Sequence, residues 1–367
     1  MIDMGKLQVD TILAQIGNKQ DRQTGAVSLP VHFSTTFAHP TLGESTGFDY
    51  TRTQNPTRLV LEEALAKLEE GVAGFATSSG MSAIQLVLGL FPKGSQLLAS
   101  RDLYGGSYRY FKQLEEQGFY EFRYFDQVAE LAALLTTETA GIFIETPTNP
   151  LMSVVDIAEI SKLAKTQGAL VIVDNTFYTP IIQKPLTLGA DIVVHSATKY
   201  LGGHNDVLAG AVVTNSQQLG ERLGVLLNTT GAVLAPFDCW LLIRGLKTLA
   251  LRMERHEKNA QALVRYLEEE SQVTEVLYPG RGGMISIKLP TQACIKPFLA
   301  QLQVFTFAES LGGVESLITY PTTQTHADIP QALRESYGLT DTLLRISVGV
   351  EAVEDLIADL SQAFGQL

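Results

Sequence analysis

Residues 169–177, ALVIVDNTF, and 191–199, DIVVHSATK, decide how the rest of the chain is read. Each is a short Val/Ile run that ends on polar residues: Asp174 and Thr176 in the first, Ser196, Thr198 and Lys199 in the second. A strand that is apolar at consecutive positions is buried on both faces, as in a parallel sheet. Five more short strand candidates lie between about 72 and 215, VAGFATSS, SQLLAS, FYEFRYF, AGIFIETP and LAGAVVTN, and several of the seven are continuous apolar runs. Helical stretches alternate with them, which predicts βαβ units and a large, mainly parallel seven-stranded α/β sheet. Such sheets bind ligands beyond the carboxyl ends of their strands. Ser78–Ser79, Glu145, Asp174 and Ser196–Lys199 stand at those ends.

Outward from this sheet the chain divides in three. Residues 1–60 are rich in Thr, Ser, Gly, His and Pro with little periodicity, and read as an irregular arm. So long an arm is functional or wraps a partner subunit. Residues 61–235 form the large domain, entered through the helical pattern LVLEEALAKLEEG (59–71). Residues 236–367 form a small α+β domain: a long helical pattern interrupted at Gly245, five short apolar runs and a closing helix, EAVEDLIADLSQAF.

Composition narrows the function. The chain has 367 residues, 45% hydrophobic and 18% charged, which suits a large packed core and excludes a disordered chain, a collagen or a coiled coil. Its net charge of −12 argues against nucleic acid or an anionic membrane as the main partner. Two cysteines, Cys239 and Cys294, build neither a disulfide framework nor a CxxC zinc site, and the six histidines include no HExxH, so no metal is expected. The opening MIDMGKLQVDTILAQIG lacks a secretory pattern and no apolar run reaches a membrane span. A cytoplasmic location is expected.

Asp174 and Lys199 carry the strongest chemical signal. A Lys in a dry pocket has a lowered pKa and attacks a carbonyl. A buried Asp stays ionised only beside a cation, and a protonated pyridine ring is one. Pyridoxal 5'-phosphate (PLP) uses both groups. A salt bridge between them, or two unrelated charges, would leave the same two residues. TSSGMSAIQLVLGLF (77–91) supplies a strand end, small residues and then a helix N-terminus, where a phosphate is held. A simple N-cap reads the same way. Ser196 and Thr198 can add hydroxyls to that phosphate. Tyr50 and Arg52 stand on the arm, where an Arg fork suits a phosphate and a solvated loop is the plainer account. Tyr104, in DLYGGSYR, can stack on a flat ring or simply sit half-buried in a loop. Rival motifs lack their context. Ser196-Ala-Thr-Lys199 has no SDN or KTG element, and Gly43-Glu-Ser-Thr-Gly47 follows no strand. There is no Walker A or GxGxxG.

Eight motifs in chain order carry a family resemblance: YTRTQNPT, SSGMSA, DLYGGSYR, ETPTNP, VDNTF, DIVVHSATKYLGGHNDVLAG, FAESLGGVESL and LRISVGVE. End to end, the chain resembles the PLP-dependent enzymes of Cys/Met metabolism, the trans-sulfuration enzymes. The resemblance implies the aspartate-aminotransferase-like fold (fold type I) and a homotetramer of catalytic dimers. It implies that Lys199 bears the cofactor and shuttles protons, and that Asp174, supported by Thr176, pairs with the pyridine nitrogen. Gly80, Met81, Ser196 and Thr198 would cup the phosphate, joined by Tyr50 and Arg52 of a neighbouring subunit. Tyr104 would stack on the ring and assist proton transfer. Arg345, Asn149 and Ser310 would hold an α-carboxylate. Glu309 would meet a distal ammonium and Arg109 a distal carboxylate.

Within the family, Gly106 replaces the Cys typical of methionine γ-lyases, and Glu309 replaces the aromatic residue of β-lyases. After YPG the chain passes directly to RGGMISIKLP, where longer relatives insert about a helix. The text is most similar to the shorter bacterial γ-synthases. It therefore implies γ-replacement joining cysteine to an O-acylhomoserine to give cystathionine. The alternatives are cleavage of cystathionine as a γ- or β-lyase, and O-acetylhomoserine sulfhydrylation.

Overall fold

The computed structural model describes residues 7–367; the first six residues of the expected arm lie outside it. All seven apolar runs are strands: β1 (Ala73–Thr77), β2 (Ser95–Ser100), β3 (Tyr120–Phe125), β4 (Thr139–Glu145), β5 (Leu170–Asp174), β6 (Ile192–His195) and β7 (Gly210–Thr214). They form one sheet in the order β1-β7-β6-β5-β4-β2-β3. β3, β2, β4, β5 and β6 run parallel, while β7 is antiparallel to both β6 and β1. Residues such as Val171, Val173, Val193 and Val194 are at most 1% exposed, which is why these strands read as continuous apolar runs. The helix Ile157–Gln167, between β4 and β5, shows how the crossovers are punctuated. Asp156 caps its first turn by accepting from Glu159 N at 3.0 Å, and Gly168 ends it at φ 74°.

The smaller sheet contains β8 (Glu275–Leu277), β9 (Met284–Lys288), β10 (Thr306–Phe307), β11 (Leu317–Thr319) and β12 (Leu343–Ser347), in the order β10-β11-β12-β9-β8. Ile285, Ile287, Leu344 and Ile346 pack against Leu356, Leu360 and Phe364 of the closing helix Val353–Phe364. Gly245 does mark a break: one helix spans Pro236–Leu246 and the next Leu249–Glu269.

The arm departs from its reading as wholly irregular. Val9–Gln15 is a helix whose Leu13 is buried in the core beneath the large sheet. Two turns are too short to show a period in sequence, and tertiary packing supplies the stability that propensity does not. Among the described residues no helix is long and apolar enough to cross a membrane, and no cluster of His, Cys, Asp or Glu could hold a metal ion.

Candidate active site

The register of the large sheet places Glu145 opposite Asp174, and Asp174 opposite Val194. The strand ends therefore present two carboxyls side by side, next to the turn Ser196–Lys199. That turn is held closely: Lys199 N donates to Ser196 O at 3.1 Å, and Thr198 N and Oγ1 donate to Ala209 O at 3.1 Å. A cavity of about 280 Å³ opens here, between the strand ends and the small domain. Lys199, Asp174, Thr176, Ser196 and Thr198 line it from the strand side. Gly80 and Met81 line it from the first turn of the helix Gly80–Leu88, and Tyr104 from the loop after β2. Asn149, Glu309, Ser310 and Arg345 close it.

Lys199 Nζ donates to Ser310 Oγ at 3.0 Å. Burial first, and the Arg345 cation second, bring its pKa down from 10.5 to about 8, so a neutral amine is within reach near neutral pH. Asp174 Oδ1 accepts from Thr176 N at 3.0 Å and from Thr176 Oγ1. Burial nevertheless raises its pKa, and the two Thr176 hydrogen bonds oppose that rise without cancelling it. Glu145 is raised well above the carboxylate range by burial and then by Asp174. It accepts from Tyr104 N at 3.0 Å, so one carboxyl fixes the tyrosine loop beside the other. Arg345, 2% exposed in mid-β12, donates through Nη1 to Asn149 Oδ1 at 2.8 Å and through Nη2 to Ser310 O at 3.0 Å and Thr319 Oγ1 at 3.2 Å. Its buried Nε has no partner. Burial lowers its pKa only to about 10, so it remains a cation.

These features fit a flat, phosphorylated pyridine aldehyde. The amine of Lys199 suits the aldehyde. Among the described residues Asp174 Oδ2 accepts no hydrogen bond, which leaves it open to a protonated ring nitrogen. The helix Gly80–Leu88 offers unbonded N–H groups in its first turn. Gly80 lets that turn approach the Ser196 segment: a Cβ there would stand 2.8 Å from Ser196 Cβ.

Three residues named from the sequence lie elsewhere. Arg109, on the solvent face of the helix Gly105–Glu116, is ion-paired with Asp328 and 64% exposed, so the structure does not bring it to the cavity. Tyr50 and Arg52 lie exposed on the arm, the guanidinium 5.7 Å over the ring, and line no part of this chain's cavity. Conversely Ile84, Pro147, Phe177, Leu208, Leu311 and Thr325 line the cavity without having been assigned a role. Pro147, Phe177, Leu208 and Leu311 lie inside the eight family motifs quoted above, which was their signal; Ile84 and Thr325 lie outside all eight.

The sequence profile of the Cys/Met metabolism PLP-dependent enzymes matches residues 10–365. The cystathionine gamma-synthase/O-acetylhomoserine (thiol)-lyase of Bacillus subtilis (strain 168) is 55% identical over 361 residues, 98% of this chain and 97% of that one. The crystal structure of cystathionine gamma-lyase from Lactobacillus plantarum complexed with L-serine superposes with a TM-score of 0.95 at 44% identity, covering 98% of this chain and 99% of that one. That of cystathionine gamma synthase from Xanthomonas oryzae pv. oryzae in complex with aminoacrylate and cysteine superposes at 0.96 and 40% identity, covering 98% of both. The fold, a mostly parallel large sheet with a second sheet beside it, is that of the fold type I PLP enzymes, and the chain belongs to the Cys/Met metabolism PLP-dependent enzyme family.

Proposed function

We propose that this protein catalyses γ-replacement, joining the sulfur of cysteine to Cγ of an O-acylhomoserine to form cystathionine. The observation that carries this reading is the convergence of a basic lysine, a buried arginine and Glu309 on one cavity, in a chain 55% identical to a relative named for both γ-synthase and thiol-lyase activity. Lys199 bears PLP, Asp174 with Thr176 holds the ring nitrogen, and Gly80, Met81, Ser196 and Thr198 hold the phosphate. When bound, PLP supplies an aldehyde for the substrate amine and an electron sink for charge left at Cα.

This chain's residues do the rest. Arg345, oriented by Asn149 and Ser310, grips the α-carboxylate and so aims the Cα–H bond. Lys199 Nζ, as the neutral amine, takes the proton from Cα; once it has handed that proton on and is neutral again it takes one from Cβ, and the acyloxy group leaves Cγ with its bonding electrons. The thiolate of cysteine adds at Cγ, and Lys199 returns protons to Cβ and Cα. Tyr104 covers the ring and excludes water. Glu309 receives the ammonium of the incoming cysteine. Arg109, held at the surface by Asp328, has no part in this scheme.

Cleavage of cystathionine uses the same residues and is favoured as a second reading by the likeness to the γ-lyase structure; sulfide in place of cysteine would give the sulfhydrylase. The arm supports a homo-oligomer built of catalytic dimers, since Tyr50 and Arg52 are exposed and line no part of their own chain's cavity; assembly as a tetramer rests on the family resemblance alone. A cytoplasmic location accords with the two free cysteines. The test is a mass-spectrometric product assay of the holoenzyme with O-acetylhomoserine or O-succinylhomoserine plus cysteine, and with cystathionine alone. Fast cystathionine formation with slow cleavage is expected. Fast cleavage with negligible formation would make the protein a lyase, with the keto acid, pyruvate or 2-oxobutyrate, telling β from γ.

A further inference from the structure

His326 lies on the segment that leaves β11 and crosses to the strand ends of the large sheet. It is fully buried. Its Nε2 is 2.9 Å from Asn149 O and 3.2 Å from Leu103 O. Its Nδ1 is 2.8 Å from Thr325 Oγ1. Carbonyls only accept, so Nε2 carries the proton and Nδ1 takes the threonine hydroxyl. Burial, and then the Arg345 cation, hold its pKa down at about 4, so the ring stays neutral and keeps this arrangement across the physiological range.

The two carbonyls belong to site segments far apart in sequence. Leu103 immediately precedes Tyr104. Asn149 carries the side-chain oxygen that accepts from Arg345 Nη1 at 2.8 Å. The same segment presses on the tyrosine loop, where a Cβ at Gly105 would stand 2.1 Å from Thr325 O. Asn149, Ser310 and Thr319 take three of the five N–H groups of Arg345, so Nε–H and the second Nη1–H are the donors left over, and their direction depends on where Asn149 is held.

We propose that His326 is a positioning residue for the α-carboxylate of the substrate: its Nε2–H holds Asn149, and through Asn149 it aims the guanidinium of Arg345, while also holding the Tyr104 loop. This rests on the carboxylate role given to Arg345 above.

The test is steady-state kinetics of the holoenzyme variants His326→Phe, His326→Gln and Arg345→Lys and of the Phe/Lys double variant. Visible absorbance of the bound cofactor and thermal unfolding are read alongside. His326→Phe, which leaves two buried carbonyls unpaired, is expected to raise KM by roughly tenfold or more with a much smaller change in kcat and unchanged cofactor absorbance. His326→Gln, which keeps an N–H donor, is expected to recover most of that loss. The double variant is expected to be no worse than Arg345→Lys alone, because residues acting through one another are not additive. A wild-type KM in His326→Phe with a lowered melting temperature would reduce the residue to packing and overturn the proposal, as would additive losses in the double variant. If His326→Phe does not fold, His326→Asn, whose shorter amide does not span both carbonyls, is read by the same KM criterion. An unchanged KM in Arg345→Lys would instead remove the carboxylate reading itself; a raised KM there with a normal one in both His326 variants would remove only the positioning role.

Discussion

Lys199 illustrates how a single residue gets its chemistry from its surroundings. In water a lysine is protonated up to about pH 10.4; buried beside Arg345, this one titrates at about 8. The neutral amine is the nucleophile, so cofactor uptake by the apo protein is expected to accelerate about tenfold per pH unit up to about 8 and then level off. Stopped-flow absorbance across about pH 6–10 would show it; a rate still climbing steeply near pH 10 would mean the amine is not perturbed. The same shift acts on stability. The folded pKa is lower than the unfolded one, so between about 8 and 10.5 the unfolded chain binds more protons and this group makes the apo protein more stable as pH rises through that window. Lys199 and Asp174 were legible as chemistry because each ends an apolar strand, where a charge needs a reason. Arg109 was misleading because a helix residue can face either way, and only packing decides.

At the scale of elements, the bend at Gly245 supports the site from below. A Cβ there would lie 2.2 Å from Gly202 O and 2.9 Å from Leu201 O, in the loop just after Lys199. Arg252, from the next helix, donates to Tyr200 O at 2.7 Å and Gly245 O at 2.9 Å, tying the bend to that loop. Gly245→Ala is expected to destabilise the protein by about 1–3 kcal/mol through overpacking against backbone, and to weaken cofactor retention by displacing the Lys199 loop. Denaturant unfolding and cofactor release on dilution measure the two effects; unchanged values for both would show that the loop yields without consequence. The break itself was visible as a glycine in a helical pattern. Its reason, the close approach of residues 201–202, was not, because the sequence does not reveal which backbone passes nearby.

At the scale of the whole molecule, the arm is built to face outward. Buried Arg58 donates to Thr51 O at 2.7 Å, Thr53 O at 3.0 Å and Arg52 O at 3.3 Å, fixing the segment that displays Arg52 and a Tyr50 that is 48% exposed. If these two residues complete a neighbour's site, an arm variant (Tyr50→Ala with Arg52→Ala) and a Lys199→Ala variant, each inactive, should restore activity when unfolded and refolded together. Roughly a quarter of the sites in a random one-to-one mixture of dimers would combine an intact arm with an intact lysine. No activity in such hybrids, with dimers confirmed by light scattering, would place the arm's role within its own chain.

Local signals in the sequence by themselves determined the parallel sheet, the strand ends that carry Asp174 and Lys199, the glycine break and the PLP family. Each rests on a period, a terminator or a motif contained in a few consecutive residues. The tertiary structure alone decided that Val9–Gln15 is a helix, that Glu145 holds the Tyr104 loop beside Asp174, and that His326 holds Asn149 beneath Arg345. These features depend on partners up to 177 residues away. Burial and hydrogen bonding between such distant segments exist only once the two sheets have packed, so no local pattern records them.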